Sequence, residues 1–144
     1  MVKVAISGGF DPLHPGHTRH IDGALGLGDE LIVILTRDDQ LITKKGYFAL
    51  PYAERREVLE WGLSKQDKLF KIVPNLDKDL TSIKSLESYW PDMFVKGGND
   101  WSESNLPEWS ICRELGIKVI FGIGGLDKVD SSSWITKRSR VWLT

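Results

Sequence analysis

Cysteine is nearly absent: Cys112 is the only one among 144 residues, so no disulfide can close within the chain. A chain of this length must rest on its hydrophobic core, and a reducing, cytoplasmic setting is expected. There is no basic excess either. Lys plus Arg number 19 against 20 Asp plus Glu, a net charge of -1, which removes the electrostatic footprint of a domain that binds a long nucleic acid. No apolar run approaches the ~18 residues of a membrane span, and the amino terminus lacks the apolar stretch of a signal peptide. No repeat, low-complexity tract or linker divides the sequence. The expectation is one soluble domain over residues 1–144, with neither a nucleic-acid nor a membrane partner.

What the sequence has instead is alternation. Short apolar runs at 2–7, 30–36, 69–73, 92–96 and 117–122 read as strands. Between them, residues 15–27, 51–63, 80–90 and 106–115 repeat apolar side chains every three or four positions, and a last helix is expected from the serines near 131. Strand followed by helix, five times over, predicts an α/β fold: a Rossmann-like, doubly wound, five-stranded parallel sheet with helices on both faces. Such sheets bind ligands outside the carboxyl ends of their strands. Those ends carry GGFDPLHPGH (8–17), then Arg37-Asp38-Asp39 with Lys44-Lys45-Gly46, then Lys96-Gly97-Gly98-Asn99-Asp100-Trp101, and Gly122 to Gly125 leading to Ser131-Ser132-Ser133. Four loops rich in glycine, lysine, hydroxyls and carboxylates are expected on one edge.

In the first loop, Gly8 and Gly9 let the backbone pass close to a ligand, Pro15 suits a first helical turn, and Gly16 keeps that turn open to an anion. A helix starting there offers free N–H groups and a partial positive charge. His14 and His17, three apart, fall on one helix face, and each can donate to a phosphate oxygen. Asp11, His14, His17 and His20 are also possible metal ligands. The helical zinc-hydrolase motif, however, sets its histidines four apart around a glutamate, a pattern missing here.

GGFDPLHPGH resembles the GxFDxxHxGH motif of the cytidylyltransferase-like nucleotidyltransferases, including its glycerol-3-phosphate cytidylyltransferase and ADP-heptose-forming adenylyltransferase branches. The likeness continues in Leu27-Gly28-Asp29-Glu30-Leu31-Ile32-Val33, Tyr52-Ala53-Glu54-Arg55-Arg56, Asp92-Met93-Phe94-Val95-Lys96-Gly97-Gly98 and Ser131-Ser132-Ser133-Trp134-Ile135. It implies transfer of a nucleoside monophosphate from a triphosphate to a small phosphorylated acceptor, with release of pyrophosphate. By the same resemblance His14, His17, Lys44 and Arg55 are catalytic. Gly8, Gly9, Phe10, Asp11, Gly16, Lys45, Gly97, Asp100, Ser131, Ser132, Ser133 and Arg138 hold the nucleotide, and Asp38 and Trp101 hold the acceptor. Mg²⁺ accompanies the triphosphate with Asp11 as its nearest protein group, and the subunits pair as a homodimer.

Two features divide the choice of base. Overall size and the Tyr52 to Arg55 stretch resemble CTP-using members, and Lys96-Gly97-Gly98 resembles ATP-using ones; the balance leans to CTP, with ATP on a sugar phosphate as the alternative. Sugar, polyol and amino-alcohol phosphates are all compatible acceptors. Two other classes stay open: a non-catalytic nucleotide-binding module on the same scaffold, and a metal-dependent hydrolase built on Asp11 and the histidines.

Overall fold

The computed structural model describes residues 1–124, so Ser131, Ser132, Ser133 and Arg138 lie outside the described residues. In chain order the elements are β1 (Lys3–Gly8), α1 (Pro15–Leu25), β2 (Glu30–Leu35), α2 (Asp38–Lys45), α3 (Tyr52–Leu63), β3 (Leu69–Pro74), α4 (Ile83–Tyr89), β4 (Met93–Val95), α5 (Trp109–Leu115) and β5 (Lys118–Ile120). The five strands form one sheet in the order β3-β2-β1-β4-β5, every pair parallel. The expected doubly wound architecture is what the chain adopts.

Period-two alternation sends each central strand's side chains to two separate cores. Val4, Ile6, Leu31, Val33 and Leu35 pack with Ile21, Ala24 and Leu25 of α1 and Leu59 and Leu63 of α3. Ala5, Ile32, Ile34 and Phe94 face the other way, onto Leu86 of α4 and Cys112 of α5. Cys112 is buried, and that burial raises its thiol pKa to about 11, so it is a packing residue.

One element departs from the sequence-based expectation. Residues 37–46, read as a loop, hold the helix α2. Its apolar signal is slight, because only Gln40 and Leu41 are buried. End chemistry sustains it. The Arg37 N–H donates to Gln40 Oε1 at 2.9 Å, Asp38 and Asp39 occupy the first turn and Lys44 and Lys45 the last, each sign matching the helix dipole. Gly46 ends it in the left-handed region at φ 83°, which a side chain would strain. The lysine pair therefore stands on a capped helix end.

Candidate active site

The strand order reverses between β1 and β4, since β2 and β3 lie to one side of β1 and β4 and β5 to the other. A crevice opens outside the carboxyl ends of the strands at such a point. Here residues 8–17 form one lip and residues 96–101 the other.

His14 and His17 meet on the first lip. His14 caps α1, and its Nδ1 accepts the Gly16 N–H at 3.1 Å, which leaves Nε2 to carry the ring proton. The His17 ring stacks on it, with centroids 3.7 Å apart and planes at 22°. Phe10 holds a φ of 48°, unusual for a bulky residue, and its buried ring meets His17 edge-on at 4.9 Å. This enclosure lowers the His17 pKa to about 3, by burial first and then by the charges of His14, His20 and Lys45. The ring is neutral at neutral pH. Its Nδ1 is buried without a hydrogen-bond partner among the described residues, so the tautomer that avoids an orphaned N–H places the proton on Nε2.

Several residues of this loop engage the protein itself. The first turn of α1 does not offer free amides: Gly16 N–H is held by His14 Nδ1, and His17 N–H by the His14 carbonyl at 2.9 Å. Phe10 forms the floor under His17 and presents almost no surface to a ligand. Gly8 and Gly9 make room for protein neighbours, since a Cβ on Gly8 would sit 3.3 Å from the Phe10 ring and one on Gly9 3.0 Å from Leu41.

Asp11, expected at the nucleotide and its metal, and Arg55, expected to be catalytic, both bind backbone groups in this structure. The Asp11 carboxylate, 1% exposed, accepts the Ala49 and Leu50 N–H groups at 2.7 Å each, with the Lys45 ammonium 3.6 Å from Oδ2. The Arg55 side chain has no exposed surface. It donates to the carbonyls of Leu50 (2.9 Å), Gly9 (3.0 Å) and Thr36 (2.7 Å), and to Asp38 Oδ1 at 2.7 Å. Asp38 Oδ1, in the residue expected at the acceptor, also accepts the Tyr52 N–H at 2.8 Å. Residues 46–51 thus form a strap fastened to the histidine loop from both sides.

Of the two lysines on α2, Lys44 is exposed, while Lys45 leans inward between Asp11 and the Tyr47 ring, 5.2 Å from its centroid. Across the crevice, Lys96 leaves β4 with its ammonium 4.8 Å from the Trp101 ring centroid and 5.5 Å from that of Phe94. Trp101 is partly exposed, Asp100 is exposed, and Gly97 presses against His20 so closely that a Cβ there would lie 2.9 Å from Nδ1.

The sequence matches the Cytidylyltransferase-like family over residues 5–120. The chain belongs to that family. Among its relatives, an FAD synthase of Methanocella paludicola is 30% identical over 146 residues, covering 96% of this chain and 92% of that protein. An FAD synthase of Halorhabdus utahensis is 38% identical over 87 residues, but the match spans 56% of this chain and 61% of that relative. The bifunctional protein HldE of Hahella chejuensis is 34% identical over 132 residues, 90% of this chain and 25% of the larger protein. Among solved structures, the lipopolysaccharide core biosynthesis protein of Thermoplasma volcanium superposes with a TM-score of 0.68 at 26% identity, covering 88% of this chain and 99% of that one.

Membership of the cytidylyltransferase-like family raises the question of a metal. Asp11 does not fit a direct ligand: both oxygens already hold amides and a lysine stands beside them. Among the described residues no group of three or more His, Cys, Asp or Glu could hold a metal ion. Asp11, His14, His17 and His20, all described, therefore do not assemble the ligand set that the hydrolase reading needs.

His20, named above among possible metal ligands, takes a structural role, and a second group of residues escaped the sequence reading. His20 ties α1 to the loop after β5 through Nδ1 and the Ile123 carbonyl, 2.9 Å apart. Beyond β3, buried Gln40 bonds Asn75 Oδ1 and the carbonyls of Asp77 and Asp79, while the Asp77 carboxylate takes the Lys84 and Ser85 N–H groups at the start of α4. The signal for this second group was the polar run Asn75-Leu76-Asp77 following an apolar strand.

Proposed function

We propose that the protein transfers a nucleoside monophosphate, AMP from ATP before CMP from CTP, to a small phosphate monoester. An acceptor phosphate oxygen forms a bond to the α-phosphorus, the bond from that phosphorus to the β-phosphate bridging oxygen breaks, and pyrophosphate leaves. The acceptor is already ionised, so the protein needs no general base; it must place and neutralise two anions. The observation that carries this reading is the stacked pair of His14 and His17 at the switch-point crevice, with Lys45 behind it. His14 Nε2–H and His17 Nε2–H supply adjacent donors, and Lys44 and Lys45 supply positive charge.

The preference for ATP departs from the sequence-level lean to CTP. The Methanocella and Halorhabdus relatives are named FAD synthase, and FAD contains an adenylyl group. Wild-type protein with Mg²⁺ and each of ATP, CTP, GTP and UTP, offered flavin mononucleotide, a sugar phosphate, glycerol 3-phosphate and ethanolamine phosphate, should release pyrophosphate with ATP and at least one acceptor. The same mixtures with His14→Ala should release none. Pyrophosphate with CTP alone would reverse the choice of base, and release from no pairing would leave a binding module.

A further inference from the structure

Among the described residues, Lys96 is the cation of the crevice that the reading above leaves without work. Its ammonium makes no hydrogen bond and no ion pair among the described residues; its near neighbours are the Phe94 and Trp101 rings. Burial lowers its pKa, the charge of Glu108 opposes that shift, and the charge of Lys44 across the crevice adds to it. Glu108 is itself 5% exposed, held by the Ser82 N–H at 3.4 Å, and stands behind Lys96 without pairing to it. An enclosed ammonium between aromatic walls, felt by a second lysine from the opposite side, lacks an anion among the described residues.

The position says which anion. Group transfer between two phosphates requires that both be neutralised and kept apart until aligned. His14, His17 and Lys45 all belong to the β1 and α2 side, whereas Lys96 rises from β4 on the other lip. We propose that Lys96, walled by Phe94 and Trp101, binds the phosphate group of the acceptor, making it a specificity residue for phosphate monoesters. This rests on the nucleotidyl-transfer reading for the identity of the second anion.

Two titrations test it by calorimetry. Wild type and Lys96→Met are first titrated with α,β-methylene ATP and Mg²⁺, then, with that analogue saturating, with phenyl phosphate and with phenol. Methionine keeps the apolar stem and removes the charge. The expected result is that wild type binds phenyl phosphate at least tenfold more tightly than phenol, that Lys96→Met abolishes this difference, and that affinity for the nucleotide analogue stays within twofold. An unchanged phenyl phosphate affinity in Lys96→Met, or a wild type that binds phenyl phosphate no better than phenol, overturns the proposal. So does a loss confined to the nucleotide analogue, which would assign Lys96 to the donor. If wild type fails to bind the analogue, the nucleotidyl-transfer reading falls, and with it the identification of the anion as an acceptor.

Discussion

Arg55 Nη2 and Asp38 Oδ1 meet at 2.7 Å across seventeen residues of sequence, and the arginine is wholly buried in doing so. Three backbone carbonyls share the same guanidinium. Truncation would strand those acceptors, so Arg55→Ala should cost about 3 kcal/mol or more of stability in urea denaturation. Arg55→Lys should recover little of it, because one ammonium cannot span the fork. A side chain that served only to contact phosphate would give near-native denaturation curves for both.

Asp11 makes a contrasting prediction. In Asp11→Asn one amide acceptor survives and the other N–H faces an NH₂, a loss of about 1–3 kcal/mol. The Mg²⁺ concentration giving half-maximal pyrophosphate release should not move, since the carboxylate is engaged by Ala49 and Leu50. A several-fold rise in that concentration would return Asp11 to the metal.

His14 combines two roles that substitution can separate. Asparagine is a good N-cap, so His14→Asn should keep the helix start within about 0.5 kcal/mol while abolishing transfer; His14→Ala should lose both, at about 1 kcal/mol for the cap. Thermal denaturation and pyrophosphate release, read on the same preparations, decide it.

The pH dependence follows from His17. Its native pKa of about 3 lies below the ordinary 6.5, so between these values the unfolded chain binds a proton that the native ring refuses. Stability therefore rises with pH across that window and is lost as pH falls through it. His20 is shifted in the same direction, again by burial first. Urea midpoints at pH 7 and pH 5 should differ more for wild type than for His17→Gln. An imidazole resonance of His17 that titrated near pH 6.5 would contradict the burial argument.

Much of this was written in the sequence. Short apolar runs alternating with helical spacings pointed to a parallel sheet covered on both faces, and the glycine and histidine pattern at 8–17 singled out the loop after β1. What stayed hidden was the destination of polar side chains. Asp11 and Arg55 have the chemistry of ligand-binding groups, and only the fold reveals that backbone amides and carbonyls reach them first. Helix α2 was invisible because periodicity reports buried faces, and its stability comes from its ends. Lys96 lay within a recognised motif, yet its isolation between two rings required coordinates.

The strap over residues 46–51 has a kinetic meaning for whatever ligand arrives. Four bonds from Asp11 and Arg55 join it to the loop that carries the histidines, all formed with the protein's own backbone. The lip is therefore preorganised: the entropy of ordering it is lost when the chain folds, and on the proposed reading a triphosphate would meet donors already in register. Binding at this lip should proceed in a single encounter step, its rate proportional to ligand concentration with no plateau from loop closure.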